Sequence, residues 1–392
     1  MNNFVLFQFG GDIVSWIVYL VFFMVFFLFY QRIMVTQMMW KLEKSAKDLE
    51  RMTENSKIFL IKEITKKPDK KTKASMNRIY EFFIITPVSL DPYGIVKKFD
   101  HIIRDERDKF SYFIKDIAPD MHPEKRASIE MGIAAGITLN QISKVVRHYV
   151  ELIRKTKSVQ IAMMLQMQMP LVERIAQSMY KGSQALSRGQ PIGDGIGPMV
   201  TTHLIGAKEA KDVGEEMVSL KTTLYGRTVI IMKARGPGGR IGYPGRAIQN
   251  AVKNNKIDRM ITIDAAAKLE GERTGSVAEG VGVAMGGPGV ERSYMEDLAV
   301  TSSIPLDSII VKMSQEEAIT PMRKAIKDAV PEVKEALKRA MERTKKTDTV
   351  LILGVGNTSG IGNSSKDLKK VEAWVDKYER KMKEKKKKEK GD

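Results

Sequence analysis

Eighteen consecutive residues near the start of the chain, from Ile13 to Tyr30, carry no charge and are almost all apolar. As an α-helix this run would rise about 27 Å, close to the thickness of the hydrocarbon core of a bilayer. A cleaved signal peptide is not expected, because no basic residue precedes the run and no small-residue cleavage site follows it. The run predicts a retained, single transmembrane helix within residues 1–31.

The location of the net charge of +18 indicates which partners to expect. Residues 32–78 hold thirteen Lys or Arg against six Asp or Glu, and residues 377–392 hold nine against four. The positive-inside rule therefore places the N-terminus outside the cell and the bulk of the chain in the cytoplasm. We expect residues 32–78 to face an anionic lipid surface. Because the roughly 300 residues between these segments carry a net charge of only +7, which is ordinary for that length, a nucleic-acid partner is not expected.

Two helical regions are predicted to follow the anchor. In residues 32–74, apolar and small residues recur at alternating spacings of three and four, which indicates either a coiled coil that forms a homo-oligomer or an amphipathic helix that packs on its own domain. Residues 75–188 are predicted to be all-helical. Their charge-free stretch 159–172 is too short for a second membrane span, and its methionines are interpreted as core residues: Met163, Met164, Met167 and Met169.

The composition changes at residue 189, because 23 of the 30 glycines lie between there and residue 362. Apolar, strand-like runs at 228–233, 260–264, 308–312 and 349–355 alternate with helical stretches. This alternation predicts an α/β domain over residues 189–364, with three layers, a mainly parallel sheet and glycine-rich loops. Its binding crevice should lie beyond the carboxyl ends of the strands. A basic helix or tail is predicted for residues 365–392.

Several kinds of chemistry are excluded by residue types. The absence of cysteine excludes a thiol nucleophile, an iron–sulfur cluster and a zinc–thiolate site. A P-loop is excluded because no GxxxxGK[ST] sequence occurs. The glycines of LGVGNTSGIGN have the wrong spacing for a dinucleotide-binding fingerprint, and no βαβ unit follows them.

Two aspartates stand where a crevice is expected. Asp264 ends a predicted strand, and Asp194 lies in a glycine-rich turn before a helical stretch. Such carboxylates can share a proton or hold a divalent metal, although spacing alone favours capping of backbone N–H groups as their role. Anion binding is a second candidate role, for Arg235, Arg240 and Arg246, with solvated loop arginines as the alternative. No cofactor is identified, and a divalent ion at the carboxylates, joined by Glu270, Glu272 and Glu279, is one option.

Three short pieces carry a resemblance to known proteins. GDGIGPMVTTHL, MITIDAA and VLILGVGNT resemble the acidic turn, the second conserved strand and the opening strand of the germination protease and hydrogenase-maturation endopeptidase fold. The resemblance implies that Asp194 and Asp264 are the catalytic or metal-binding acids. In those families Gly-x-Gly-Asn precedes the acidic turn by a few residues, whereas here it follows by about 160, so the match requires a circularly permuted domain.

As a whole, the chain resembles an archaeal membrane-anchored family of uncharacterised function. The resulting hypothesis is a single-pass membrane protein with a cytosolic, hydrolase-like domain related to peptidases, in which Asp194 and Asp264 do the chemistry. The alternatives are a non-catalytic, oligomeric membrane scaffold or a partner-docking protein, and lastly one that docks RNA or ribosomes through its lysine tail.

Overall fold

The computed structural model describes residues 13–87, 94–287 and 289–391, apart from the side chains of residues 13–15, 27–29, 31, 32, 386 and 389–391. The chain forms two compact units. The first, unit 1, comprises Met1–Met52 and Asn140–Ala176. The second, unit 2, comprises Thr53–Leu139 and Gln177–Asp392. Part of the predicted helical region therefore belongs to the same compact unit as the α/β domain.

Five helices of 11 to 52 residues precede the glycine-rich region. These are α1 (Ile13–Ile64), α2 (Lys70–Tyr80), α3 (Ile95–Ile117), α4 (Pro123–Thr156) and α5 (Val159–Ser187). The remaining helices are α6 (Ile196–Ile205), α7 (Pro244–Asn254), α8 (Val290–Thr301), α9 (Gln315–Ile319), α10 (Lys324–Lys327), α11 (Val330–Glu342) and α12 (Ser365–Gly391). Local chemistry sets several of these starts: Asp69 caps α2 by accepting from the N–H of Thr72 at 2.7 Å, and Pro244 opens α7.

The seven strands of unit 2 form one sheet. They are β1 (Lys211–Asp212), β2 (Met217–Leu224), β3 (Arg227–Ala234), β4 (Arg259–Ala267), β5 (Val277–Val281), β6 (Leu306–Met313) and β7 (Thr349–Gly354), in the order β1-β2-β3-β7-β4-β6-β5. The last strand in the chain, β7, thus lies near the centre of the sheet, between β3 and β4.

The prediction of a mainly parallel sheet was wrong, since the sheet is mixed. Strands β3, β7, β4 and β6 pair in parallel, whereas β1 with β2, β2 with β3, and β5 with β6 pair antiparallel. The physical reason is the connections: β2 and β3 form a hairpin with a turn at Tyr225 and Gly226, and β5 returns along the edge of β6. The α/β class of this part of the chain, preceded by helices, is confirmed.

Helices cover both faces of the sheet. Along β7, Val350 and Ile352 belong to the core cluster formed with α6, α11 and α12. Leu351 and Leu353 belong to the cluster formed with α7 and α8 on the other face. This alternation follows from the two-residue period of a strand, and it explains why the central strands are apolar throughout.

The apolar and small residues that recur along 32–74 pack against other parts of the same chain. Leu42, Leu49 and Ser56 along α1 are all buried, and the Ser56 hydroxyl lies 3.0 Å from that of Ser183. This burial favours the amphipathic helix packed on its own domain over a coiled coil between chains. The interpretation of the methionines of α5 as core was largely wrong, because only Met169 of the four is buried.

The predicted anchor opens α1. Residues 1–12 lie outside the described residues, as do the side chains of 13–15 and 27–29. Over the residues that are described, no helix combines the length and the apolar composition that a bilayer crossing needs, so the predicted transmembrane helix is not found.

Candidate active site

Asp194 lies in a tight 3-10 turn, Gly193–Gly195, that leads directly into α6. Its carboxylate oxygen Oδ2 accepts a hydrogen bond from the backbone N–H of Asn357 at 2.8 Å. Burial raises the pKa of Asp194, and the Asn357 hydrogen bond opposes this only in part. Asp194 makes no capping hydrogen bond to α6, so the alternative role of a helix cap does not apply to it.

Asp264 lies in the carboxyl-terminal part of β4 and is only 4% exposed. Its Oδ1 accepts from the N–H of Ala265 at 2.6 Å. Burial raises the pKa of Asp264 to about 8, and the nearby charge of Asp194 contributes to this rise. Asp264 therefore keeps a proton near neutral pH.

Both aspartates line one cavity of about 490 Å³ in unit 2. One wall is apolar and small, formed by Ala265, Ala266 and Ala267 at the end of β4. The rest comes from α3, from the loop before α7, from the segment before α8, and from the residues between β6 and α9. Polar or charged lining residues beside the two aspartates are Asp100, Arg107, Tyr243, Glu291, Ser314 and Gln315.

The loop after β7 lies directly on the turn that carries Asp194, although about 160 residues separate them in the chain. A Cβ atom on Gly356 would approach the carbonyl oxygen of Asp194 to 1.9 Å, and one on Gly197 would approach that of Val355 to 2.2 Å. Only glycine permits these backbones to approach so closely. The segment VGN at 355–357 thus sets the position of the Asp194 carboxylate.

The three predicted anion-binding arginines are not brought together with the aspartates, and each is paired with a carboxylate of this chain. Arg235 pairs with Asp212 at 2.7 Å. Arg240 is buried and pairs with Glu124 at 2.6 Å. Arg246 pairs with Asp100, whose carboxylate lines the cavity, so it reaches the site only through that residue. Their role in binding an anion stays a prediction.

The acidic residues considered for a divalent ion lie apart from the aspartates. Glu272 pairs with Lys312, and Glu279 pairs with Arg339 at 2.7 Å. In the described part of the chain, no three His, Asp or Glu side chains are grouped so that they could hold a metal ion. The residues described therefore do not fit a divalent metal ion at the two aspartates.

Sequence reasoning missed a polar cluster on the wall opposite β4. Tyr243 has the guanidinium carbons of Arg104 and Arg107 at 4.0 and 4.3 Å from its ring centre. Glu291 accepts from the N–H of Gly245 at 2.7 Å, and burial together with the charge of Asp100 raises its pKa. No sequence signal brings these residues together, because α3 ends about seventy residues before the α/β domain begins.

Lys233 was also missed, although a lysine at the end of the apolar run TVIIMK is a visible signal. Its side chain is fully buried, and its Nζ donates to the carbonyl of Ala234 at 2.9 Å and to Oδ1 of Asn363 at 3.0 Å. Burial lowers the pKa of Lys233 to about 7. Because Asn363 also exchanges two hydrogen bonds with the backbone of Gly236, Lys233 helps to join two loops at the carboxyl edge of the sheet.

The fold and the cavity together define an α/β protein with a buried acid, Asp264, and a half-buried one, Asp194, at the carboxyl edge of its sheet. Residues 192–362 match the C-terminal model described as a domain of unknown function (DUF1512), and residues 16–189 match the N-terminal domain model of the same description. The chain belongs to the DUF1512 family. No curated protein and no solved structure matches it.

Proposed function

We propose that the chain is a hydrolase that cleaves peptide bonds with Asp194 and Asp264 as a general acid–base pair. The observation that carries this proposal is that Asp264, on β4, and Asp194, in the turn before α6, line one cavity, and that the charge of Asp194 helps to raise the pKa of Asp264. Pairs of acids whose environments separate their protonation states are a recurrent basis for general acid–base catalysis. The apolar wall formed by Ala265–Ala267 leaves room for an extended chain beside the pair.

The raised pKa of Asp264 suits this residue to be the proton donor, which leaves Asp194 as the base. Charged Asp194 takes a proton from a water molecule while the water oxygen bonds to the carbonyl carbon of the substrate. Protonated Asp264 donates its proton to the leaving nitrogen as the carbon–nitrogen bond breaks, which yields a carboxylic acid and an amine. Each carboxyl group is held by a single backbone N–H, from Asn357 and from Ala265, so both are oriented before substrate binds.

The resemblance to the germination protease and maturation endopeptidase fold supports the choice of the peptide bond. The Gly-x-Gly-Asn loop after β7 contacts the acidic turn at Asp194, which is the arrangement that a circularly permuted version of that fold requires. The central position of β7 in the sheet is consistent with the same relationship.

The test measures turnover of a mixed-sequence library of quenched fluorescent peptides by the full chain. Asp194→Asn and Asp264→Asn should each reduce the rate by about 100-fold or more. Asp212→Asn is the matched control, because this exposed acid pairs with Arg235 away from the cavity. Activity should fall as the pH rises through about 8, where Asp264 loses its proton. No turnover by the unaltered chain, or full turnover by both cavity variants, would refute the proposal.

We also propose that the protein is held at a membrane by the run from Ile13 to Tyr30, with its N-terminus outside and the cavity in the cytoplasm. Along α1, the apolar side chains from Trp16 to Phe26 are exposed without interruption, which is costly in water and favourable in lipid. The basic residues 32–78 would then face the anionic leaflet. A fluorescent label attached at position 22 of the full chain should therefore lie in hydrocarbon and be quenched by lipid-borne quenchers.

A further inference from the structure

One face of α5 is apolar and exposed within unit 1. Met163 is 53% exposed, Met164 51%, Met167 72% and Leu171 43%. At 100° per residue these four side chains fall within an arc of about 100° on the helix, so they form one face, here called the methionine face. Exposed contiguous apolar surface of this kind marks a site of interaction rather than ordinary solvent-facing helix.

The ion pairs of unit 1 fix where the methionine face lies along α1. Arg147 pairs with Glu50 and Arg154 pairs with Glu43, so α4 runs antiparallel to α1. The short turn at 157–158 then sends α5 back in the direction of α1.

The Ser45 hydroxyl donates to Glu173 at 2.6 Å, which sets the register between α1 and α5. Met167 and Met163 precede Glu173 by six and ten residues, so they lie roughly 9 and 15 Å closer to the N-terminal end of α1. The methionine face is therefore level with the segment of α1 from Ile33 to Trp40, immediately after the apolar run.

The surroundings of the methionine face are both apolar and basic. Ile33 and Trp40, at the same level of α1, are 64% and 69% exposed. Lys155 and Lys157, in the turn that leads into α5, are exposed as well. Over residues 13–52 and 140–176, unit 1 carries eleven Lys or Arg against five Asp or Glu. Exposed apolar side chains with lysines nearby are the composition that binds the interface of an anionic membrane.

We propose that the methionine face of α5 is a membrane-docking surface that inserts into the headgroup region of an anionic bilayer. This inference rests on the proposed attachment through the run from Ile13 to Tyr30, because that run brings the same end of unit 1 to the bilayer. The positive charge and the level of Trp40 favour lipid over a second copy of the chain, since two copies would bring like charges together. Docking at two places, α1 and α5, would fix the orientation of unit 1 on the membrane.

The test uses single-cysteine variants. Because the chain has no cysteine, a thiol-reactive label attaches only at the introduced residue. The full chains Met167→Cys, Phe22→Cys and Val300→Cys are labelled with an environment-sensitive fluorophore and reconstituted in phosphatidylcholine vesicles with or without phosphatidylglycerol. The label at 167 should shift its emission to the blue and be quenched by lipid-borne quenchers in the anionic vesicles. The label at 300, an exposed apolar position on α8, is the control and should do neither. Lys155→Gln with Lys157→Gln should weaken the quenching at 167.

The labels at 22 and 167 test the membrane attachment and the docking of the methionine face separately. A label quenched at 22 but fully water-exposed at 167 would overturn docking by the methionine face while leaving the attachment intact. An unquenched label at 22 would overturn the attachment and with it this inference. A blue shift of the label at 167 that appears without vesicles and grows with protein concentration would show that a second copy of the chain covers the methionine face. That result would overturn the proposal. None of these outcomes depends on peptide hydrolysis.

Discussion

At the scale of single residues, the two aspartates differ because their surroundings differ, not because their chemistry does. Each accepts one backbone hydrogen bond, but Asp264 also experiences the charge of Asp194 in a poorly solvated cavity. Two carboxylates in such a place cannot both be charged at low cost, so one retains a proton. This difference in protonation should be visible in stability even where no substrate is known.

Asp264→Asn should change how the free energy of unfolding depends on pH. The folded-state pKa of about 8 lies above the ordinary value of 3.8, so between these values the folded chain binds a proton that the unfolded chain releases. Stability contributed by this group is therefore present at low pH and lost as the pH rises through about 8. Asn cannot titrate. The free energy of unfolding, measured with urea, should therefore decrease less between pH 5 and pH 8 in the variant than in the unaltered chain, by a few kcal/mol.

Asp212→Asn provides the control for this measurement. The pKa of Asp212 is lowered, by the Gly214 N–H and by Arg235, so this group stays charged throughout the range from pH 5 to 8. Its replacement should leave the pH dependence in that range unchanged. Equal pH dependence in the unaltered chain and Asp264→Asn would mean that Asp264 is ionised in the folded protein at neutral pH.

The sequence was enough to single out Asp194 and Asp264 as candidates, because a strand end and a glycine-rich turn are local patterns and the resemblance points to the same two residues. The sequence did not show which carboxylates pair with Arg235, Arg240 and Arg246. Those partners lie on other elements: Glu124 begins α4 and Asp100 lies on α3. The sequence shows which arginines could bind an anion. It does not show that each already forms an ion pair with a carboxylate of the chain, because tertiary contacts decide that pairing.

At the scale of elements, the four strands predicted from sequence are the four that pair in parallel. Strands β3, β4, β6 and β7 are covered on both faces, so their apolar runs are continuous and easily recognised. The strands missed are those with exposed residues: β2 alternates polar side chains, and β5 contains a glycine and is largely exposed. The error about a mainly parallel sheet follows directly, because antiparallel strands at the sheet edges have the weaker signal.

Gly197→Ala should destabilise the protein at the junction of α6 with the sheet. The added Cβ would approach the carbonyl oxygens of Val355 and Ile263 to 2.2 and 2.4 Å, and backbone atoms of the sheet cannot move away cheaply. Although alanine favours a helix over glycine by about 1 kcal/mol, overpacking should dominate and cost roughly 1–3 kcal/mol.

Urea unfolding of Gly197→Ala should be compared with that of Gly280→Ala. A Cβ at residue 280 meets no atom within 4 Å, so this variant on β5 should be close to neutral. Equal stability of the two variants would show that α6 does not rest against the loop after β7 as closely as described. The rate of the proposed peptide cleavage should fall in Gly197→Ala even where the variant is fully folded, because the loop that holds Val355 also positions Asp194 through Asn357.

At the scale of the whole molecule, part of the positive charge is concentrated at the end of the chain. The second half of α12, from Arg380 onwards, carries eight Lys or Arg and two Glu before the last residue. The first half of α12 is different, because Leu368 and Val375 belong to the core of the α/β region and are almost fully buried. One continuous helix thus combines a structural segment with a charged extension.

Two truncations should separate these roles. Removal of residues 380–392 leaves the buried side chains of α12 and the 3.1 Å ion pair between Arg323 and Glu379, so the free energy of unfolding should change by no more than about 0.5 kcal/mol. Removal of residues 365–392 exposes the core to which Leu368, Val371 and Val375 contribute, and several kcal/mol should be lost. Urea unfolding monitored by circular dichroism measures both. A large loss from the shorter truncation would mean that the lysine-rich extension packs on the protein, and that the excess charge of the chain is part of its fold rather than available to a membrane surface.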